Sequence, residues 1–309
     1  MMTGIGRAAA LAVALGSAGA AHADGAVIRP DGSEIVYALE GRGEAERQGV
    51  IFIAQGSGCA PATTPGRFEG AEALAPALAR LTIEKYGVDP EVGEPETDES
   101  GAPVCSEAFL ARDTLDQRVL DAARVIAELR RTDWWNGELV LFGGSEGGAV
   151  AAMLAEITPE TDGVVVFSSG LGFTVEETVL AAMPPPVRPR MSQGLSEARA
   201  QGRIDVGFAG HSQAWWANAA AKRPVNALLN VTAPILVVHG GRDASAPVAS
   251  AREGVERLRE AGACVAYHEH ADLDHFMAEA DGTSRRGAVY ADIAAWIDGA
   301  LEGEACAQD

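Results

Sequence analysis

The sequence predicts an α/β protein in which a mostly parallel β-sheet is flanked by helices on both faces. Short apolar runs typical of strands alternate along the chain with longer segments of helical periodicity. The apolar runs are almost unbroken in Val, Ile, Leu and Phe, as in strands that are buried on both faces. Successive parallel strands also require a crossover, usually a helix, and the alternating pattern supplies one.

The first predicted elements are a hairpin and a central strand. Residues 26–40 contain two short apolar runs around the turn residues at 30–32, which predicts two short strands. Residues 50–54 form the next buried strand and lead into a glycine-rich loop at 55–59. Such a loop at the carboxyl end of a central strand can present bare N–H groups to a site.

The following elements alternate regularly. Residues 71–80 predict a helix and residues 81–86 a strand. A sequence resembling a capping box at 114–117 opens a helix that continues to 129, with apolar residues recurring at helical spacing. Further strands are predicted at 139–142, 163–167, 234–238 and 264–268, and further helices at 149–155, 248–260 and 289–301.

An insertion interrupts this alternation after the strand at 163–167. Residues 170–231 show helical patterns and no clear strand. We expect them to form a helical lid above the sheet. There Trp215 and Trp216 would either line an acyl pocket or pack within the lid, whereas His211 is expected on the surface.

The N-terminus has the pattern of a signal peptide. A single cation, Arg7, precedes an apolar run at 8–15, and the sequence Ala21-His22-Ala23 forms an A-x-A cleavage site. We expect residues 1–23 to be removed and residues 24–309 to form one exported domain, periplasmic or secreted. The apolar run is too short to span a bilayer, so no stable membrane insertion is expected.

The charge of the chain excludes some classes of partner. It carries 24 basic and 44 acidic residues, a formal net charge of −20. Nucleic acid and anionic membrane surfaces are therefore not expected as partners. The sequence does not specify an oligomeric state.

Four cysteines in an exported chain suggest two disulfides, for which three pairings exist. We favour Cys59–Cys105 and Cys264–Cys306, because each pair would tie a strand end to a later loop or helix. Since Cys59 follows the glycine-rich loop directly, the first bridge would also pin that loop. The spacing contains no C-x-x-C metal or redox site, and neither a metal nor a cofactor is expected.

The segment 139–155 carries the clearest chemical signal. A strand and a helix flank the sequence Gly143-Gly144-Ser145-Glu146-Gly147, a G-x-S-x-G motif. A sharp strand-to-helix turn strains its central residue, and neighbouring backbone leaves no room for side chains at the flanking positions. The motif therefore predicts that the Ser145 hydroxyl is exposed at the carboxyl end of the sheet.

A serine nucleophile needs a histidine to accept its proton and an acid to fix the histidine tautomer. The chain supplies these groups in the order Ser145, Asp243, His275, each after a predicted strand, where sites of open α/β sheets gather. Asp272 and Asp274 compete with Asp243 as the acid. Asp243 is favoured because neighbouring side chains on an extended loop diverge, which argues against Asp274.

Residues 34–303 resemble the α/β-hydrolase superfamily, whose chain order is nucleophile, acid, histidine. The motif around Ser145, the loop at 239–243 and the segment 274–276 carry the resemblance. It is nearest to dienelactone-hydrolase-like and prolyl-oligopeptidase-like members. The resemblance implies that Ser57 N–H and Glu146 N–H form the oxyanion hole. The chain departs from many members in having Gln55 where they have histidine, and in its lid.

These observations predict a serine hydrolase that cleaves a small-molecule carboxylic ester through an acyl-serine intermediate. A serine peptidase of prolyl-oligopeptidase-like type is the first alternative, because the same triad cleaves amides. A non-catalytic binding protein on the same fold is the second. The serine at the turn argues against dehalogenase and epoxide-hydrolase chemistry, since those similar proteins use aspartate there.

Overall fold

Eight strands form the centre of the computed structural model, which describes residues 24–43, 47–62, 68, 70–99, 101–201 and 210–306. The strands are β1 (Gly25–Ile28), β2 (Glu34–Glu40), β3 (Gln48–Ala54), β4 (Ala79–Ile83), β5 (Trp135–Gly144), β6 (Gly163–Phe167), β7 (Ile235–Gly240) and β8 (Val265–His270). They lie in one sheet in the order β1-β2-β4-β3-β5-β6-β7-β8.

The sheet is antiparallel at one edge and parallel elsewhere. β1 pairs antiparallel with β2, and β2 pairs antiparallel with β4. All pairings from β4 through β3, β5, β6 and β7 to β8 are parallel. β5 lies at the centre, where Leu141 stands between Phe52 of β3 and Val164 of β6. The predicted fold class is therefore confirmed.

Helices cover both faces of the sheet. They are α1 (Glu107–Arg112), α2 (Leu115–Leu129), α3 (Glu146–Ile157), α4 (Val175–Ala182), α5 (Arg188–Ala200), α6 (Gln213–Ala219), α7 (Val225–Leu228), α8 (Val248–Glu260) and α9 (Arg286–Leu301). Apolar residues of α2, α3 and α8 enter the core on one face, and α9 packs on the other. As predicted, the Thr114 side chain caps α2 by accepting from Gln117 N–H.

The helix predicted at 71–80 is wrong. The structure has a single 3₁₀ turn at Ala71–Ala73, and β4 already begins at Ala79. Pro76 explains the difference, because proline lacks an N–H and disfavours helical conformation in the preceding residue. Leu74 and Leu78 still bury their side chains in the core, so the apolar spacing reflects burial without a helix.

The insertion between β6 and β7 is helical, as predicted. The structure describes its residues 170–201 and 210–231, which contain α4, α5, α6 and α7 and no strand. Residues of α6 and α7 are buried against the core that α2 and α3 share.

Both favoured disulfides are present. Cys59 bonds to Cys105 and Cys264 bonds to Cys306, with the Cα atoms 5.6 Å apart in each pair. The first bridge joins the loop after β3 to the segment before α1, and the second joins the start of β8 to the chain after α9. The predicted signal peptide at 1–23 lies outside the described residues. None of the described helices is long and apolar enough to cross a membrane.

Candidate active site

Ser145 lies at the turn between β5 and α3. Its backbone has φ 53° and ψ −125°, a region that side chains with a Cβ rarely occupy. Ser145 N–H donates to the carbonyl oxygen of Phe167 on the neighbouring strand at 2.9 Å. That bond holds the strained residue at the carboxyl end of the central strands.

The glycines around Ser145 are required by close backbone contacts. A Cβ at Gly143 would overlap the carbonyl oxygen of Gly147, and a Cβ at Gly147 would overlap the carbonyl oxygen of Ala54. A Cβ at Gly148 would meet the Ser169 side chain. Only glycine allows β5, α3 and the end of β3 to approach this closely.

The loops after β7 and β8 bring Asp243 and His275 together. His275 Nδ1 lies 2.8 Å from Asp243 Oδ2. Asp243 Oδ1 accepts from the backbone N–H groups of Ser245 and Ala246, both at 2.8 Å. Burial alone would raise the pKa of Asp243, but hydrogen bonds from His239 and His275 hold it well below its usual range. Asp243 is therefore an ionised acceptor that orients the imidazole.

The competing acids have other roles. Asp274 Oδ1 accepts from the backbone N–H groups of Phe276 and Ala278 at 2.8 and 2.9 Å. Asp274 thus shapes the turn that carries His275. Asp272 contributes its carbonyl oxygen to the Arg242 side chain. Among the described hydrogen bonds, Asp243 is the carboxylate that contacts the His275 ring.

Ser57 and Glu146 both lie beside the nucleophile, in the wall of one cavity. A Cβ built at Gly56 would lie 3.8 Å from Ser145 Oγ, so the 55–59 loop runs directly beside the hydroxyl. Ser57 is exposed, and within the described chain its N–H has no acceptor. Glu146 is the first residue of α3, where an N–H has no acceptor within the helix. Within the described residues, neither N–H group is therefore committed to a protein acceptor.

A cavity of about 190 Å³ opens beside Ser145, with Ser57 and Glu146 in its wall. Trp215 lines it, whereas Trp216 lies behind Trp215 at a ring-centroid distance of 5.0 Å and an interplanar angle of 87°. The insertion supplies much of the wall, through Val175, Thr178, Val179, His211, Trp215 and Pro224. The two tryptophans therefore occupy different places, one at the cavity and one in the core.

His211 is part of the cavity wall, and the surface position expected for it is wrong. Its ring stacks on Trp215 with centroids 3.5 Å apart, and its Nδ1 lies 3.8 Å from Glu146 Oε2. Burial lowers the pKa of His211, although the Glu146 carboxylate opposes this effect. His211 directly precedes Ser212, the N-cap of α6, so the start of that helix places the ring against the site.

Buried charges behind the 55–59 loop are the feature that sequence reasoning missed. Arg118 of α2 forms an ion pair with Glu146 at 2.6 Å and donates to a carbonyl of the loop. Lys85, just after β4, donates to two more carbonyls of that loop, both at 2.6 Å. Burial alone would raise the pKa of Glu146, but Lys85 and Arg118 hold it below its usual value. These cations come from segments far apart in sequence, so no local sequence motif indicates that they lie together.

No group of three or more His, Cys, Asp or Glu side chains that could hold a metal ion occurs within the described residues. The Ser145, Asp243 and His275 side chains are of the types that covalent acyl transfer uses.

Solved structures match this chain over most of its length. Est1E from Butyrivibrio proteoclasticus with bound ferulic acid is 14% identical, with 89% of this chain and 98% of that chain covered and a TM-score of 0.59. A monoacylglycerol lipase from Paleococcus ferrophilus is 16% identical, with 87% and 100% covered and a TM-score of 0.57. An acylaminoacyl peptidase from Pyrococcus horikoshii is 13% identical, with 86% of this chain but 39% of that chain covered and a TM-score of 0.57.

The chain has the α/β-hydrolase fold. No family model matches it, and no curated protein matches it by sequence. At these identities the similarity concerns the α/β-hydrolase architecture, which hosts many chemistries. The reaction has to be argued from the site.

Proposed function

We propose that this α/β-hydrolase-fold protein is a serine hydrolase that cleaves carboxylic esters. The observation that carries the proposal is the placement of three groups. Ser145 occupies a strained turn after β5, while Asp243 and His275, on the loops after β7 and β8, form a 2.8 Å hydrogen bond. This arrangement supports the assignment of Ser145 as nucleophile, His275 as base and Asp243 as the orienting acid.

In the proposed reaction, Ser145 Oγ attacks the acyl carbon while His275 Nε2 takes its proton. Ser57 N–H and Glu146 N–H stabilise the resulting oxyanion. The bond from the acyl carbon to the alcohol oxygen then breaks, and His275 returns the proton to that oxygen. Water, activated by the same imidazole, attacks the acyl-serine and releases the acid. Asp243 stabilises the imidazolium that forms in both halves.

The cavity indicates the size of the acyl group. Its volume is about 190 Å³, and its wall includes Leu115, Val175, Val179 and Trp215. An apolar cavity of roughly 150 Å³ in another protein binds benzene. We therefore propose that the substrates carry short or single-ring acyl groups. The ferulic acid bound to Est1E, which also has one aromatic ring, agrees with that size.

We also propose that the protein acts outside the cytoplasm. The sequence of residues 1–23 has the order of a signal peptide. The two disulfides agree with an oxidising compartment, where such bonds persist.

Labelling with a fluorophosphonate tests the nucleophile. The wild type should be labelled, and Ser145→Ala should lose labelling and several orders of magnitude in turnover. Ser57→Ala is the matched control, because it removes a second hydroxyl at the same cavity and keeps the backbone N–H. It should still be labelled. Full labelling of Ser145→Ala would overturn the assignment, and an unlabelled wild type would favour a non-catalytic binding protein.

A peptidase remains the second candidate, because the chain also has the fold of an acylaminoacyl peptidase. A panel of nitrophenyl esters beside aminoacyl nitroanilides separates the two reactions. We expect kcat/KM to be highest for esters with small acyl groups and to fall once the acyl group exceeds one ring. A preference for nitroanilides would contradict the ester proposal while leaving the role of Ser145 intact.

A further inference from the structure

Lys85 is one of only two lysines in the chain, and it is buried. Lys85 is 4% exposed, and its Nζ donates to the carbonyl oxygens of Gly56 and Gly58, both at 2.6 Å. The other lysine, Lys222, is partly exposed and pairs with Asp116 near the surface at 2.9 Å. A buried ammonium is costly unless it is paired and hydrogen-bonded, so the position of Lys85 calls for an explanation.

The bond to Gly56 fixes the direction of the next N–H. In a trans peptide the C=O and the following N–H point in opposite directions, and the structure contains no cis peptide among its described residues. Because the Gly56 carbonyl points at Lys85, the Ser57 N–H points away from Lys85. Ser57 also lines the cavity beside Ser145. Lys85 thereby holds the peptide plane in the orientation that an oxyanion donor needs.

Arg118 supports the same arrangement from α2. One of its guanidinium nitrogens donates to the carbonyl oxygen of Gln55, and the other pairs with Glu146 Oε1 at 2.6 Å. The backbone N–H of Glu146 is the second proposed oxyanion donor. One layer of buried cations therefore anchors both donor segments from behind.

Two carboxyl groups offset the charge of this layer. Lys85 and Arg118 both act electrostatically on Asp113 and on Glu146. Lys85 and Arg118 are each less than a tenth exposed to solvent. Because the two cations are buried, water competes little for their bonds to the loop carbonyls, which favours one position of the loop.

We propose that Lys85 is a positioning residue for the oxyanion hole, acting through the Gly56 and Gly58 carbonyls to direct the Ser57 N–H at the substrate oxygen. This inference rests on the proposed serine-hydrolase function. Its consequence is selective: losing Lys85 weakens binding of the anionic tetrahedral state much more than binding of the neutral substrate.

The test compares Lys85→Met with Lys222→Met in the full mature chain, using one activated ester. Lys85→Met should lower kcat by about 10²- to 10³-fold, the size of losing one oxyanion donor, with KM changed by less than about threefold. A trifluoromethyl ketone, which forms an anionic adduct with the nucleophile, should lose affinity by the same factor. The carboxylate product should bind as before. Lys222→Met should match the wild type in all three measurements.

Lys85→Gln covers the case in which Lys85→Met fails to fold, since its amide is polar but too short to span both carbonyls. It should still lose tenfold or more in kcat with unchanged product binding. A folded Lys85 variant within threefold of the wild-type kcat would overturn the inference. Equal losses for the ketone and the product would do the same, because they indicate general damage. An inactive, unlabelled wild type would instead contradict the proposed function itself.

Discussion

The two sides of the Ser145 hydroxyl are built in different ways. On one side, the turn from β5 to α3 is fixed by backbone contacts, in which Gly143 meets the carbonyl of Gly147 and Ser145 N–H donates to the carbonyl of Phe167. On the other side, the 55–59 loop has no regular secondary structure and is held by Lys85 and Arg118 from two distant segments.

The difference matters because the proposed reaction gives the two sides different tasks. The Ser145 side has to expose one hydroxyl, which a strained turn achieves by backbone geometry alone. The loop side has to aim an N–H at a charge that exists only transiently. Peptide planes in loops can rotate, and buried cations that bind the carbonyls prevent that rotation. Substitutions on the two sides should therefore lower kcat to different and distinguishable extents.

The largest effect is expected for Asp243, which orients the His275 imidazole proposed as the base for Ser145. Asp243→Asn replaces an ionised acceptor of the His275 Nδ1 proton by an amide and disfavours the required tautomer. In serine proteases with a Ser-His-Asp triad, the corresponding substitution lowers turnover by about 10⁴-fold, and we expect a loss of that order here. The measurement is kcat at neutral pH with an activated ester.

Asp274→Asn is the matched control for that variant, on the neighbouring residue of His275. Asp274 shapes the turn through the N–H groups of Phe276 and Ala278, and an amide oxygen can still accept from both. We expect less than about a tenfold loss, as for a group outside the triad. If Asp274→Asn is the crippling change and Asp243→Asn stays near wild type, the assignment of the acid is wrong.

A smaller effect is expected for the disulfide on the loop side. Cys59 directly follows Gly58, so removing the Cys59–Cys105 bridge frees one end of the loop. Lys85 still binds the Gly56 and Gly58 carbonyls, so we expect kcat to fall by no more than about tenfold, equivalent to about 1.4 kcal/mol in the barrier. The double variant Cys59→Ser/Cys105→Ser avoids an odd thiol.

The other bridge provides the control. Cys264→Ser/Cys306→Ser opens a loop of 42 residues, close to the 46 of the first bridge. The chain-entropy model gives both about the same stability contribution, roughly 4 kcal/mol. The kcat of Cys264→Ser/Cys306→Ser should equal that of the wild type below the melting temperature of the variant. A hundredfold loss confined to the first pair would show that the disulfide, more than Lys85, positions the loop.

Sequence reasoning predicted what depends on local pattern. The alternating strands and helices were predicted because burial fixes the spacing of apolar residues along the chain. The cysteine pairing was predicted because each pair would tie a strand end to a later loop or helix. The placement of Asp243 beside His275 also agrees with the expectation from chain order. Pro76 was the missed local signal, and it turned a predicted helix into a single turn.

What depends on tertiary contact was not predictable. His211 precedes α6 and looks like any polar loop residue until the insertion places its ring near Glu146 of α3. Lys85 and Arg118 meet the 55–59 loop only because β4, β3 and α2 pack together. No periodicity in a single sequence indicates that these side chains and this loop come into contact.

The last prediction concerns Asp113, which lies in the charge layer behind the loop. Burial raises the pKa of Asp113 to about 6, although Lys85 and Arg118 oppose the increase, and Glu146 and Asp121 add to it. A carboxyl group whose pKa is higher in the folded than in the unfolded state stabilises the fold at low pH. That contribution is complete below about pH 4 and is lost as the pH rises to about 6.

Asp113→Asn should remove this pH dependence, because asparagine resembles the neutral acid at every pH. The loss in the wild type amounts to about 3 kcal/mol, from a pKa increase of roughly two units. We therefore expect the free energy of unfolding of the variant, minus that of the wild type, to rise by about that amount between pH 4 and pH 6.5. Taking the difference cancels carboxylates with lowered pKa values, such as Asp243, which act in the opposite direction. Urea unfolding at several pH values measures it, and a difference that stays constant would show that Asp113 is already ionised at pH 4. In that case the cations behind the loop would be fully paired throughout, and the kcat loss of Lys85→Met should not vary with pH over this range.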